Sequence, residues 1–313
     1  MKELKIDFMS YRKIAAIFSV ILILASGVSL GIKQLNWGLD FTGGSLVEVV
    51  YDQTVQPELI RQQLEESGYT GHIVQSFGSD RDILIRVPPQ KNLTEQENAR
   101  LGDKIVASLK DSTEGSVELR RSEFVGPAVG EELTNQGGIG LLASLAMVML
   151  YIAFRFQLKF AVGAVVALLH DVIVTLGVFS LVGWNFDLTV VAALLAVIGY
   201  SLNDTIVVSD RIRENFRKIR RSNSHDIINT SLNQTLGRTI VTSFTTLLVL
   251  SALLILGGEL IRGFAIGLII GVFIGTYSSI YIAANVLLAL GISKEDLAIP
   301  VKEGADDPDA LMQ

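Results

Sequence analysis

Residues 188–208 read LTVVAALLAVIGYSLNDTIVV, an apolar run carrying one acid, Asp204. As a helix rising about 1.5 Å per residue, a run of this length crosses the roughly 30 Å hydrocarbon core of a bilayer. An ionised carboxylate at mid-span costs about 2.5–3.5 kcal/mol on insertion scales, so intramembrane acids usually face a protein interior or wet cavity and mark ion or proton paths. Asp204 is therefore a candidate functional residue. The alternative is a helix-end carboxylate that reaches interfacial water, because Ser209, Asp210, Arg211 and Arg213 follow directly.

Five further apolar runs lie on either side: Ile14 to Ile32, Gly137 to Phe154, Phe160 to Val182, Thr239 to Leu256 and Phe264 to Leu290. Together they predict six membrane-spanning helices. Composition agrees, with 50% hydrophobic residues and 19% charged, against about 25% charged in soluble domains. The net charge of −6 says little about partners, since bases gather in short loops and acids in a middle segment and the tail. There is no nucleic-acid footprint. The absence of cysteine excludes disulfides, thiolate ligands and thiol nucleophiles. Lys2, Lys5, Arg12 and Lys13 precede the first run, as in a secretory signal, but its length exceeds the 7–15 residues of a signal core, so a retained anchor is expected.

Basic residues in short loops set the orientation. Arg155 and Lys159 follow the second run, and Arg211, Arg213, Arg217, Lys218, Arg220 and Arg221 follow the fourth; the alternate loops carry only Arg262. Both termini are expected in the cytoplasm. The chain then divides into 1–32, cytoplasmic start and first span; 33–136, an extracytoplasmic domain; 137–292, five spans with a basic cytoplasmic loop at 209–238; and 293–313, an acidic cytoplasmic tail. In the external segment, Ser45–Tyr51, His72–Phe77, Asp82–Val87 and Ser116–Val125 read as strands, and Pro57–Ser67 and Thr94–Lys110 as helices. That βαββαβ order predicts a ferredoxin-like α+β domain on a polytopic α-helical membrane protein, a fold that reveals no function by itself.

Three strings carry a more specific signal: Trp37-Gly38-Leu39-Asp40-Phe41-Thr42-Gly43-Gly44, Val125-Gly126-Pro127-Ala128-Val129-Gly130-Glu131-Glu132-Leu133, and Gly199 to Asn215. Each alone is weak, since Gly-Gly beside an aromatic is usually a turn. In this order and at these places the chain resembles the SecD/SecF family of protein-export membrane proteins, and within it the SecF subunits, of the resistance-nodulation-division superfamily. The resemblance covers nearly the whole chain, with Gly38, Asp40, Phe41, Gly43, Gly44, Gly126, Pro127 and Gly130 as family-motif residues. It implies a non-enzymatic subunit of the bacterial inner membrane that uses the proton gradient to help preproteins leave the Sec channel. It also implies SecD, the SecYEG channel, the translocating preprotein and membrane lipid as partners. No cofactor is expected, only protons as the coupling ion.

The resemblance also associates a transmembrane aspartate and arginine at these positions, Asp204 and Arg238, with proton use. The residues agree. Val197, Tyr200, Ser201 and Asp204 share a face of the fourth span, and Arg238, Thr242, Thr245 and Thr246 share one of the fifth, so the two faces are expected to line one wet seam. Burial favours the neutral acid and a nearby guanidinium favours the carboxylate, so helix movement can be coupled to proton passage. One charge crossing the full potential contributes about 2.3 kcal/mol per 100 mV, enough to bias a two-state motion more than tenfold.

Asp171, halfway along the third span, is either a second relay acid or a structural pair. Asn203 is expected to bond between helices, Asp187 to be solvated, and His72 and His225 to be isolated. With no His-Glu-x-x-His spacing, no metal site is assigned. Gly263, Gly267, Gly271 and Gly275 form a stripe on the sixth span that admits a close neighbour, either within the chain or in SecD. Two other functions remain open: a proton-coupled small-molecule exporter subunit, and a non-motor scaffold for which Asp204 is dispensable.

Overall fold

The computed structural model describes residues 6–77, 79–90, 92–112, 116–219, 221–293 and 295–297. Six helices among these are long and apolar enough to cross a membrane. They are α1 (Arg12–Ile32), α6 (Pro127–Arg155), α7 (Leu158–Val182), α8 (Leu188–Lys218), α9 (Ser224–Leu256) and α10 (Arg262–Ala289). The chain forms two compact units, one of Leu35–Ser144 with Gly183–Ala192, the other of the remaining helical segments.

The first unit is built on a four-stranded antiparallel sheet of β2 (Gly44–Tyr51), β3 (Ile73–Phe77), β4 (Ser79–Val87) and β5 (Val117–Val125). Its order, β3-β4-β2-β5, is that of the ferredoxin-like fold. Period-two alternation turns Val47, Val49 and Tyr51 of β2 and Ile83, Ile85 and Val87 of β4 into one core with Ile60 and Leu64 of α3 (Pro57–Glu66) and Ile105 and Leu109 of α5 (Leu101–Ser112). The expected helix from Thr94 is broken at Arg100 into α4 (Glu95–Ala99) and α5. Thr94 does cap α4: its hydroxyl accepts from the Glu97 N–H, and the Glu97 carboxylate accepts from the Thr94 N–H at 2.8 Å. Those bonds hold the exposed Glu97 carboxyl below its ordinary pKa.

The domain limits differ from the sequence reading. The stretch 209–238 is not a loop: α8 runs on to Lys218 and α9 begins at Ser224, so only residues 219–223 connect them. Backbone hydrogen bonding continues past the apolar run, supported at the surface by the Arg211–Glu214 pair (2.9 Å) and the Lys218–Glu214 pair (2.6 Å). Likewise α6 starts at Pro127, inside the stretch assigned to the external domain. The sheet unit also recruits residues 183–192, because β6 (Asn185–Phe186) pairs in parallel with β1 (Asn36–Trp37). Of the tail, Glu295–Leu297 form a single 3-10 turn, with Asp296 paired to Lys159 at 2.6 Å. Residues 298–313, including the acidic cluster, lie outside the described residues.

Candidate functional site

The glycine stripe of α10 sets the geometry of the helical unit. A Cβ at Gly267 would lie 3.0 Å from Cβ of Ala193, one at Gly271 would overlap the Val197 side chain, and one at Gly275 would lie 3.2 Å from Cβ of Ser201. Three glycines on α10 thus match three residues of α8 at the same spacing of four. The stripe therefore packs within the chain; Gly263, in the first turn of α10, is half-buried. On α7, a Cβ at Gly163 would meet the Ala283 carbonyl oxygen of α10 at 3.3 Å, and one at Gly177 would overlap Ser26 of α1. Small residues bring α7, α8 and α10 close enough for short side chains to bond across.

Asp171 lies where they meet, with a fully buried side chain. Its Oδ2 accepts from the hydroxyls of Ser201 (α8, 2.5 Å) and Ser278 (α10, 2.7 Å), and Oδ1 lies 3.0 Å from Nδ1 of His170. One turn beyond Ser201 on α8 is Asp204, 3% exposed, whose Oδ2 has no hydrogen-bond partner among the described residues. The neighbouring Thr205 hydroxyl is also buried without one. Arg238 of α9 is near enough for its charge to act on Asp204, but the two form no ion pair among the described residues. The structure thus brings Asp171 to the centre of a polar cluster and leaves Asp204 the less satisfied acid.

The expected threonine face does not reach across. Thr242, Thr245 and Thr246 each donate to carbonyls of their own helix, those of Arg238, Val241 and Thr242 respectively. Ser243 makes the link instead, accepting from the Tyr200 phenol of α8 at 3.2 Å and bonding Thr276 of α10 at 2.7 Å. Its signal lay in the buried positions Thr239 and Ser243, four apart. Asn203 is exposed and makes no interhelical bond among the described residues. His72 bonds the Tyr69 carbonyl at 3.0 Å and His225 lies 3.7 Å from Asp226. Among the described residues no three His, Asp or Glu side chains gather as a metal site would require.

In the sheet unit the motif residues converge. Gly44 has φ +114°, and a Cβ there would strike the Val87 carbonyl oxygen. Only glycine fits. A Cβ on Gly130 would sit 3.1 Å from the Gly43 nitrogen and the Phe41 oxygen, and one on Gly43 lies 3.2 Å from Cα of Pro127. Gly126 accepts from the Gly130 N–H at 3.0 Å. Asp40 accepts from the Leu188 N–H at 2.9 Å, so the motif helps to cap α8. Asp187, expected in solvent, is half-buried and also caps α8, accepting from the Thr189 hydroxyl (2.6 Å) and the Val190 N–H (3.0 Å). Arg86 donates to the Trp37 carbonyl (2.8 Å) and the Asn185 amide oxygen (2.9 Å). Burial lowers its pKa, and the negative charge of Asp187 opposes that shift.

Comparison with known proteins places this arrangement. Residues 104–293 match the model of the protein export membrane protein SecD/SecF C-terminal region, and residues 28–55 match the SecD/SecF GG motif. The chain is 51% identical to protein translocase subunit SecF of Vibrio alginolyticus, over 97% of this chain and 96% of that one. It is 48% identical to the subunit of the same name from Pseudomonas aeruginosa, over 96% and 97%. The crystal structure of SecDF, a translocon-associated membrane protein from Thermus thermophilus, superposes with a TM-score of 0.81 at 38% identity. That match covers 91% of this chain but only 38% of the SecDF chain, so this chain spans well under half of that larger protein. With two family models matched and near full-length identity to SecF subunits, the chain belongs to the SecD/SecF family of protein-export membrane proteins, among its SecF members.

Proposed function

We propose that this chain is a proton-coupled, non-enzymatic subunit of the Sec translocase of the bacterial inner membrane, promoting preprotein export and release after the channel step. Both termini face the cytoplasm and the sheet unit faces outward. Its partners are SecD, which supplies the other half of a SecDF-like assembly, the SecYEG channel, the emerging preprotein and membrane lipid. The names of the relatives matched over nearly their whole length support the export role, and the SecDF chain, of which this chain covers 38%, supports SecD as a partner.

The observation that carries the reading is the state of Asp204. A carboxyl group 3% exposed, with Oδ2 unpartnered among the described residues and a guanidinium acting on it from another helix, is poorly satisfied. Buried polar groups left unpaired are costly, so a small shift of α9 against α8 that joins or separates Asp204 and Arg238 changes which protonation state is favoured. Helix position and proton occupancy then become two readings of one equilibrium, which a transmembrane proton gradient biases.

Asp204→Asn tests this. Asn keeps the shape and one acceptor oxygen but exchanges no proton, so the variant is expected to insert and assemble normally while losing gradient-dependent release of a translocated preprotein. Arg238→Lys should be milder than Arg238→Met, since it keeps the charge. An Asp204→Asn protein with the parent's response to an imposed gradient would exclude Asp204 as the coupling carboxylate.

A further inference from the structure

His170 lies next to Asp171 on α7, and the reading above gives it no task. Its side chain is 1% exposed. Nδ1 faces Oδ1 of Asp171 at 3.0 Å, while Nε2 is buried with no hydrogen-bond partner among the described residues. Around the pair stand Tyr277 of α10, its ring centre 6.2 Å from that of the imidazole, and Ser278 of the same helix. From α8 come Ser201, bonded to Asp171, and Asp204 one turn on. From α1 comes the Ser19 hydroxyl, bonded to the Tyr277 phenol at 2.8 Å.

Two hydroxyls donating to Oδ2 suit an ionised carboxylate, which only accepts. The third donor, at Oδ1, is then the Nδ1–H of His170, and that bond fixes the tautomer with a lone pair at Nε2. A proton arriving at Nε2 yields an imidazolium beside a carboxylate, a pair with no net charge that is far less costly to bury than either ion alone. The Nδ1 proton can pass on to Oδ1, leaving neutral imidazole protonated at Nε2 and a neutral acid. We propose that His170 and Asp171 hold one exchangeable proton as a unit, which arrives and leaves at Nε2 of His170. No other bond forms or breaks. The pair is a second proton-holding position beside Asp204, and its part in export rests on the proton-coupled reading above.

Nitrogen-15 NMR of the full chain, labelled at histidine and held in lipid nanodiscs, tests the assignment. The chain has three histidines, and His72→Gln with His225→Gln leaves His170 alone. The expected result is Nδ1 protonated with Nε2 bare at high pH, and Nε2 gaining a proton as the pH is lowered. Asp171→Asn should displace that midpoint by about one pH unit or more. An imidazole that carries its proton on Nε2 across the whole range, an Nε2 that never changes, or an Asn variant that titrates like the parent overturns the proposal.

In membrane vesicles, His170→Gln keeps an amide toward Asp171 but has no Nε2 lone pair to protonate. It should lose roughly tenfold or more of the gradient response, and an unaltered response overturns the proposal as well. The two readings fail separately. An inert Asp204→Asn with the expected titration removes the export mechanism and leaves the dyad; a lost response in Asp204→Asn with a silent His170 removes the dyad alone.

Discussion

Where α3 and α5 meet the sheet, the contact is made by Ile60, Leu64, Ile83, Ile85, Ile105 and Leu109, all nearly sealed from solvent. Where α10 meets α8, it is made by Gly267, Gly271 and Gly275 against Ala193, Val197 and Ser201. The difference follows from the solvent each unit is built for. In water, removing aliphatic surface is the main driving force, so bulky side chains define the core. Between lipid tails the same burial gains almost nothing, and helices associate through close approach and interhelical hydrogen bonds. Hence small residues and hydroxyls populate the helix contacts, and a carboxylate is able to sit among them with its partners already in place.

The contrast is broken most directly from the sheet side. Ile85→Ala removes a fully buried side chain and is expected to cost about 2–5 kcal/mol. Hydrogen exchange on the full chain should then speed up in β2, β3 and β4 while the amides of α7 and α10 stay protected. Equal acceleration in both regions would mean that the two units do not unfold independently.

A somewhat smaller loss is expected on the helical side. Gly271→Leu drives a side chain into Val197 and should destabilise by about 1–3 kcal/mol, in keeping with overpacked interiors. Gly140→Leu on α6, where a Cβ meets nothing within 4 Å, is the matched control. Thermal unfolding in detergent separates the two variants, and equal midpoints would show that the stripe does not govern the approach of α8.

The smallest effect is electrostatic and confined to the sheet unit. The folded-state pKa of Glu97 lies below its ordinary value of 4.5, so its contribution to stability is present above that pH and is lost as pH falls through the folded value. Glu97→Gln removes the titration while leaving an acceptor for the Thr94 N–H. Parent and variant should therefore diverge in slope only on the acid side of about pH 4.5, and a slope difference at neutral pH would show that another group carries the dependence.

Much of this architecture was legible from local pattern. Apolar runs of bilayer length located all six spans, and period-two alternation with turn residues located the four main strands, because hydropathy and periodicity depend only on neighbouring residues. Helix ends were less legible. The basic stretch after Val208 remains helical since i to i+4 backbone bonds are indifferent to polarity, and its charges pair along the same surface. Thr242, Thr245 and Thr246 pointed to a shared polar face by spacing, yet a threonine hydroxyl can satisfy itself on the carbonyl one turn back.

The sequence by itself determined that the chain spans a membrane, that Asp171 and Asp204 lie within those spans, and that a glycine stripe would admit a close neighbour. Which helix fills the stripe, and which of the two acids is enclosed by donors, was decided only by tertiary structure. Ser201 and Ser278 lie 30 and 107 positions from Asp171 along the chain. Nothing local links them; they meet because the glycines of α10 let α8 come close enough for side chains of two heavy atoms to reach one carboxylate.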